Sequence, residues 1–435
     1  MTVDLITILG ELSFSEQINE ISQFAGQKKD AEAHAALIQK AEAAQDESSR
    51  KAIVNQIVSE IHNVPGEAND REVEGIFNLL GNVIINNFSD DQQSAKSLFE
   101  HILKVLTAPE STAATTIGQA NDKALVRYRI LSNLYNALPN SSANRFIVFN
   151  SLLQFANAND DLDIISDALT ALPTWLAEWD ISPLEKANLL TKVAENFEAA
   201  GQPKRAYEFL LLHVRFLGTS TLSGEGSSAA TTKQAAERTI SAALSLPSVF
   251  EFEELAQIEA VQKLQSEPIG KLLNVFLQGN TKDFIQWRDA NASEVTRLKL
   301  SAAQLERKIQ LLDLANLCSR SISSTVSYSE IAKTLNVDLE EVEVWVIDVI
   351  RAGLVSGKLS QINQSLRVYK SVYRSFGTDQ WRLLETRLST WEKSIASILQ
   401  TLAEARQSGH TVPREIGVPG ADSATAKQQQ NQITA

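Results

Sequence analysis

The sequence has few of the residues from which catalytic and metal sites are commonly built. Cys318 is the only cysteine in 435 residues, so neither an intrachain disulfide nor a site with two thiolate ligands can form. It sits in an apolar helical pattern, where a small core residue is expected. The five histidines do not recur at helical ligand spacing, and phosphate-loop and nucleophile-elbow motifs are missing. We expect no enzyme, no cofactor and no bound metal.

Signals for membrane insertion and export are also missing. No run of about eighteen apolar residues occurs. The amino-terminal stretch carries Asp4 and Glu11, and it lacks the basic start of a signal peptide. A formal net charge of -13 disfavours attraction to anionic membranes or to nucleic acid by the chain as a whole. With one cysteine, a reducing setting, cytosolic or nuclear, is expected, and no membrane contact is expected.

A glycine-rich stretch at residues 224–229 matches a dinucleotide-binding fingerprint on paper. That fingerprint requires a strand before the first glycine, and a helical pattern precedes this one. We therefore expect no nucleotide cofactor. Residues 219–232 are rich in Gly, Ser, Thr and Ala, which predicts a flexible insert.

Apolar residues recur every three or four positions from about residue 50 onward, which predicts consecutive helices. The clearest pair flanks Gly201, with a start signal at Ser182-Pro183. Repeated antiparallel helix pairs predict an α-solenoid. The predicted segments are a partly ordered helical start (1–48), a helical-repeat arm (49–218), the flexible insert (219–232), further helices (233–320), a winged helix (321–376), a C-terminal helix (377–405) and a disordered tail (406–435).

The pattern over residues 321–376 predicts two short helices followed by a two-stranded hairpin, which together form a winged helix. We expect Ser329 to cap the first helix and Asp338 the second, with Gly353 ending the second. The alternation that resumes at Leu366 and Val368 predicts the last strand.

Winged helices commonly read DNA, but the second helix is unsuited to that task. Five carboxylates, from residue 338 to residue 348, accompany a single Arg351. Bringing them to a polyanion costs free energy, so DNA binding through this helix is not expected. A DNA-binding regulator stays open only as a distant alternative. A winged helix that does not read DNA usually offers its sheet edge or its helices to another protein, and we expect Leu366 and Val368 to contact that partner.

The C-terminal helix carries apolar residues at alternating spacings of three and four, which is a heptad pattern. They are Trp381, Leu384, Leu388, Trp391, Ile395, Ile398 and Leu402. This seam packs either on its own domain or against helices of other chains. Its three heptads and two tryptophans exceed what a small winged helix covers, which favours a bundle with partner helices.

A helical arm, a winged helix and a heptad-bearing C-terminal helix in this order resemble the PCI-domain family, whose members are scaffold subunits of the proteasome lid, the signalosome and translation initiation factor three. Four stretches are similar to the initiation-factor members. They are residues 131–135 (LSNLY), 144–148 (NRFIV), 345–351 (WVIDVIR) and 375–381 (SFGTDQW).

The resemblance implies a cytoplasmic, non-catalytic scaffold subunit of the initiation factor. It implies that winged helices of neighbouring PCI subunits join side by side and that C-terminal helices share a bundle. It further implies the large subunit a and the MPN-domain subunits f and h as partners, with the small ribosomal subunit bound through the complex. A PCI subunit of the signalosome or of the proteasome lid is the alternative.

Overall fold

The structure is a computed structural model of the chain. It describes residues 12–25, 31–44, 46–64, 69–108, 117–219, 226–375 and 377–407. Within these ranges it contains twenty-one helices and three short strands. The chain forms two compact units, Met1–Arg374 and Ser375–Ala435. This architecture confirms the predicted fold class, a mainly α chain in which a solenoid of helical hairpins precedes a winged helix and a long C-terminal helix.

Twelve helices form the arm. They are α1 (Phe14–Ala25), α2 (Ala31–Ala43), α3 (Glu47–Glu60), α4 (Asp70–Asn87), α5 (Gln92–Thr107), α6 (Ile117–Ala137), α7 (Ala143–Ala158), α8 (Leu162–Leu169), α9 (Leu172–Glu178), α10 (Pro183–Ala199), α11 (Pro203–Thr219) and α12 (Gly226–Ser245). Helices two apart along the chain pack together, with α3 on α5, α4 on α6 and α5 on α7. This stacking of successive hairpins is the α-solenoid that the periodicity predicts.

The hairpin of α10 and α11 shows how local sequence sets the arm. The Ser182 hydroxyl accepts a hydrogen bond from the Glu185 amide, and the Glu185 carboxylate accepts one from the Ser182 amide. Pro183 occupies the first helical position, where its missing N–H is not needed. Gly201 adopts a φ of +72° in the turn between the helices, a conformation that glycine reaches without strain.

His213 on α11 is a buried histidine whose charge state makes the arm sensitive to pH. Its Nε2 lies 3.5 Å from Oγ1 of Thr191 on α10. Burial, aided by the nearby Arg238, lowers the pKa of His213 from 6.5 to about 4. Between these two values the unfolded chain binds a proton that the folded chain does not, so stability falls as pH decreases through this window.

We expect this histidine to make the wild-type chain about 2 kcal/mol less stable at pH 5 than at pH 7. His213→Gln, which cannot titrate, should remove that part of the pH dependence. Urea unfolding of both proteins at the two pH values measures it. The same pH dependence in the variant would show that other groups are responsible.

Six helices connect the arm to the winged helix. They are α13 (Glu253–Ala256), α14 (Glu259–Gln262), α15 (Pro268–Gln278), α16 (Thr281–Ala290), α17 (Ala292–Arg297) and α18 (Ala302–Arg320). The helical stretch that leads into the winged helix is divided into α17 and α18, because Lys299 adopts a φ of +54° just after α17.

Lys308 fastens α18 to the end of α12. Its buried ammonium donates to the carbonyl oxygens of Ala243, Leu244 and Leu246 at 2.7, 3.2 and 2.7 Å, and it lies 4.9 Å from the centre of the Phe252 ring. Burial lowers the pKa of Lys308 to about 7. Three acceptors match the three donors of an ammonium, so the carboxyl end of α12 is satisfied by a residue far along the chain.

The winged helix contains two helices and a three-stranded antiparallel sheet. Its elements are β1 (Thr325–Ser327), α19 (Tyr328–Leu335), α20 (Val342–Arg351), β2 (Val355–Ser360) and β3 (Ser365–Ser371). The order across the sheet is β1-β3-β2, so β3 is the central strand. Sequence analysis missed β1, because three residues are too few to show alternation.

The starts of the two winged-helix helices differ from the prediction. Ser327, rather than Ser329, caps α19, because its hydroxyl accepts from the amide of Glu330 three residues later. Asp338 does not cap α20, which begins only at Val342, after a turn closed by a hydrogen bond to the Asp338 carbonyl. Several of the carboxylates therefore precede the helix rather than filling its first turn.

The structure differs from the predicted segments at two places. At the amino-terminal end, α1 and α2 bury Ile18, Ile21 and Leu37 in the core of the arm. The expected insert at 219–232 is wrong in its second half, because residues 226–232 belong to α12. Residues 220–225, with the first glycine of the fingerprint, and the tail beyond residue 407 lie outside the described residues.

Candidate functional site

The C-terminal helix is the main candidate for a binding site. α21 (Thr378–Gln407) is helical over 30 residues, a length of about 45 Å at the usual rise per residue. It contains no glycine or proline and is rich in Leu, Glu, Arg and Ala, which are good helix formers. The composition of this segment therefore favours a helix without help from the rest of the chain.

The seven heptad residues of α21 are exposed, and we call them the seam. Their exposed fractions range from 38% for Leu384 to 65% for Trp391. The remaining seam residues are Trp381, Leu388, Ile395, Ile398 and Leu402. A stripe of this length exposes far more apolar surface than scattered surface residues do, and exposed stripes of this kind are typical of interaction surfaces.

The free energy available from the seam is large. Burial of each seam side chain contributes about 2 kcal/mol before the cost of ordering. Glu385 and Glu392 flank the seam at the heptad position that sets partner orientation in coiled coils. The arrangement therefore suits packing against helices with a matching apolar stripe. No finding identifies those helices, so the assignment of the seam to partner binding stays a prediction.

Leu366 and Val368 do not form a partner surface, which contradicts the prediction for these two residues. Both side chains are fully buried in the core of the winged helix. β3 pairs with β2 along its length and with β1 as far as Arg367, and the backbone of Val368 bonds to Ser323 and Ser324, so neither residue lies on a free edge. Period-two alternation identifies the strand, but it does not say which of the two faces is inside.

The second winged-helix helix exposes an acidic and partly apolar surface. Asp348 pairs with Arg307, whose guanidinium lies 5.2 Å from the centre of the Trp345 ring. Val344 and Ile347 are 56% and 44% exposed. Sequence analysis missed these two, because α20 carries apolar residues on its outer face as well as on its inner one.

The structure gives no sign of a catalytic or metal site among the residues that it describes. Cys318 is buried, and burial raises the pKa of its thiol to about 12, so it is a core residue as expected. Among the residues that the structure describes, no group of three or more His, Cys, Asp or Glu is placed to hold a metal ion. None of the helices in the described ranges has the length and apolar character needed to cross a bilayer.

Comparison with known proteins shows the family. Eukaryotic translation initiation factor 3 subunit M of Phaeosphaeria nodorum is 30% identical over 409 residues, which are 92% of this chain and 89% of that protein. The chain belongs to the eukaryotic translation initiation factor 3 subunit M family. Subunit M of Aspergillus oryzae is 29% identical, covering 94% of this chain and 88% of its own length. Subunit M of Dictyostelium discoideum is 28% identical, covering 78% and 80%.

Two family models match segments of this chain. Residues 281–370 match the PCI domain, from the first residue of α16 to the penultimate residue of β3. Residues 374–402 match the family described as eIF3 subunit M, C-terminal helix, and this segment contains the whole seam. The resemblance to the PCI-domain family is confirmed. The similarity of the four quoted stretches to the initiation-factor members is confirmed as well, and the relatives identify that member as subunit M.

The subunit M helix match begins at a residue that sequence analysis missed. Arg374 is buried, and it donates to Oδ1 of Asp313 at 2.8 Å, to the carbonyl of Ile309 at 3.2 Å and to the carbonyl of Gly279. Oδ2 of Asp313 accepts from the amide and hydroxyl of Thr281 at 2.9 and 2.5 Å. A lone arginine beside a strand gives no signal in the sequence that it closes such a cluster.

Proposed function

We propose that this chain is a non-catalytic scaffold subunit of translation initiation factor 3. In this role it binds other subunits of the factor and so supports formation of the preinitiation complex on the small ribosomal subunit. Membership of the subunit M family supports the choice of complex. The observation that carries the scaffold role is the exposed seam, which lies within the segment matching the subunit M C-terminal helix.

The proposed mechanism is helix packing. The seam joins helices of other subunits in a bundle, where burying its seven apolar side chains supplies the free energy of association. The proposed partners are PCI and MPN subunits of the factor, namely the large subunit a and the MPN-domain subunits f and h. Contact with the small ribosomal subunit is made through the complex, and the protein works in the cytoplasm.

The alternative assemblies are less well supported. A PCI subunit of the signalosome or the proteasome lid would share the PCI domain, but the similarity to subunit M covers most of the chain, including the C-terminal helix. A DNA-binding regulator would need cations on its second winged-helix helix, where Asp348 already occupies the nearby Arg307.

The proposal is tested by purifying the tagged chain from cells under native conditions and identifying its partners by mass spectrometry. We expect initiation factor 3 subunits, with a, f and h among them, and small ribosomal subunits in the same gradient fractions. Co-purification of a deneddylase or protease instead would support the alternative assemblies. A chain that sediments alone would contradict the scaffold role altogether.

A further inference from the structure

The solvent face of the winged-helix sheet is basic, in contrast to the rest of this acidic chain. Lys358 on β2 and Arg367 and Lys370 on β3 are exposed, and the other outward positions of the strands, apart from Tyr369, are serine or threonine. No strand residue of the sheet is a carboxylate. Three cations on one small face stand out in a chain of formal net charge -13.

The register places two of these cations directly opposite each other. Lys358 and Arg367 are cross-strand partners, so their Cα atoms lie about 5 Å apart. Like charges in this position destabilise a sheet. In the described part of the chain none of the three cations forms an ion pair or hydrogen bond with a carboxylate. The repulsion is therefore not offset within the described chain.

Protection of a sheet edge does not account for this arrangement. Lysine on an edge strand discourages pairing with other chains, which explains Lys358 on β2. Arg367, however, lies where β3 is paired with β1 on one side and with β2 on the other, so its charge protects no edge, and Lys370 lies beyond the end of β1 on the same strand. The side chains of Arg367 and Lys370 are exposed, and edge protection leaves the charge of Arg367 unexplained.

A β-bulge adds an aromatic ring to the same face. Ser356 pairs with Lys370 and Gly357 pairs with Val368, so Tyr369 is the extra residue of β3. Its side chain is 53% exposed. Bulges re-aim side chains, and this one sets a phenol between Arg367 and Lys370 in the sequence of the strand. Gly357 allows β2 to approach β3 closely beside the bulge, because a Cβ at this position would lie 2.6 Å from the Arg367 carbonyl oxygen.

We propose that the outer face of this sheet binds a single-stranded nucleic acid. The three cations neutralise phosphates, and the Tyr369 ring provides a surface on which an unpaired base stacks. A duplex does not suit the domain, because the acidic α20 repels it from the side that would enter a groove. In the assembly proposed above the strand would be RNA, but the inference itself rests only on the geometry and charge of the sheet.

The test uses the purified full-length chain and fluorescein-labelled oligonucleotides of about twelve nucleotides, oligo(U) RNA and oligo(T) DNA, followed by anisotropy. Three phosphate contacts predict that log K falls with log salt with a slope of about -2. Affinity should therefore drop about 20-fold between 50 and 200 mM salt. Binding of either strand supports the proposal, and their ratio identifies the preferred sugar.

Matched variants separate the site from general charge. K358Q/R367Q/K370Q should abolish binding and flatten the salt slope. The control K104Q/K192Q/K204Q removes the same charge from exposed arm positions and should bind as the wild type does. Tyr369→Ala should weaken binding at least about fivefold, whereas Tyr369→Phe, which keeps the ring, should not. Thermal unfolding of the basic-face variant should show no loss of stability, because substitution removes the cross-strand repulsion.

The inference is overturned if neither oligonucleotide binds, or if the two triple variants weaken binding equally. It is also overturned if an acidic peptide of similar length binds as tightly and Tyr369→Ala has no effect, since the face would then be a docking site for a protein. The triple variant should still co-purify with the partners of the wild type. Loss of oligonucleotide binding with retained partners thus separates this inference from the scaffold proposal.

Discussion

Replacing Leu388 and Trp391 with aspartate is expected to release the chain from its complex while its fold persists. Both residues lie in the middle of the seam and are 52% and 65% exposed, so the substitution removes no contact of a buried core. In the proposed bundle these two side chains would be buried against partner helices. Losing both apolar contacts is expected to cost about 4 kcal/mol of binding free energy, which corresponds to roughly a thousandfold weaker association. Co-purification of a tagged variant from cells, with circular dichroism for helicity, measures both outcomes.

The matched control for this substitution lies on the same helix. T386D/S397D introduces the same two charges on exposed positions outside the seam. It should leave co-purification unchanged, because these positions face away from the heptad stripe. If the seam variant keeps its partners with normal helicity, or if the control loses them equally, the seam is not the binding surface.

Arg374→Met is expected to cause a large loss of folding stability. The side chains of Arg374 and Asp313 are only 6% and 7% exposed. Burial lowers the pKa of Arg374, against the opposing effect of Asp313. Removing the guanidinium leaves the Asp313 carboxylate buried with only Thr281 as partner. Breaking a buried pair in this way costs about 3–5 kcal/mol, which urea unfolding of the full chain should detect.

An exposed ion pair provides the control for Arg374→Met. Arg205 lies 3.5 Å from Asp163, and both side chains are largely exposed. Pairs of this kind contribute about 0–1 kcal/mol, so Arg205→Met should hardly change the unfolding midpoint. If the two substitutions changed the unfolding midpoint equally, the buried Arg374–Asp313 pair would contribute no more stability than an exposed one. A second measurement, co-purification of the Arg374→Met variant, shows whether partner binding depends on this cluster.

Local periodicity was sufficient for most helices and for the seam. The spacing of three and four residues in the segment from Trp381 to Leu402 needs no knowledge of the rest of the chain, because an α-helix sets its faces by its own geometry. The Ser182-Pro183 start signal was likewise decisive, since a capping box involves residues only three apart.

Strand faces and short elements were the weak points. The alternation around Leu366 and Val368 predicts the strand correctly. The expected partner contact of these side chains is contradicted, because both are buried in the core of the winged helix. The first winged-helix cap was misplaced by two residues, since Ser327 and Ser329 are chemically equivalent candidates and only the hydrogen bond to Glu330 distinguishes them.

By itself the sequence determined the mainly helical class, the heptad seam and the absence of catalytic motifs, because each depends on residues that are close along the chain. Only the tertiary structure decided that Arg374 meets Asp313, 61 residues away, and that Lys358 and Arg367 stand side by side on an open face. Such pairings arise from packing and strand register, which bring distant residues together and leave no local pattern behind.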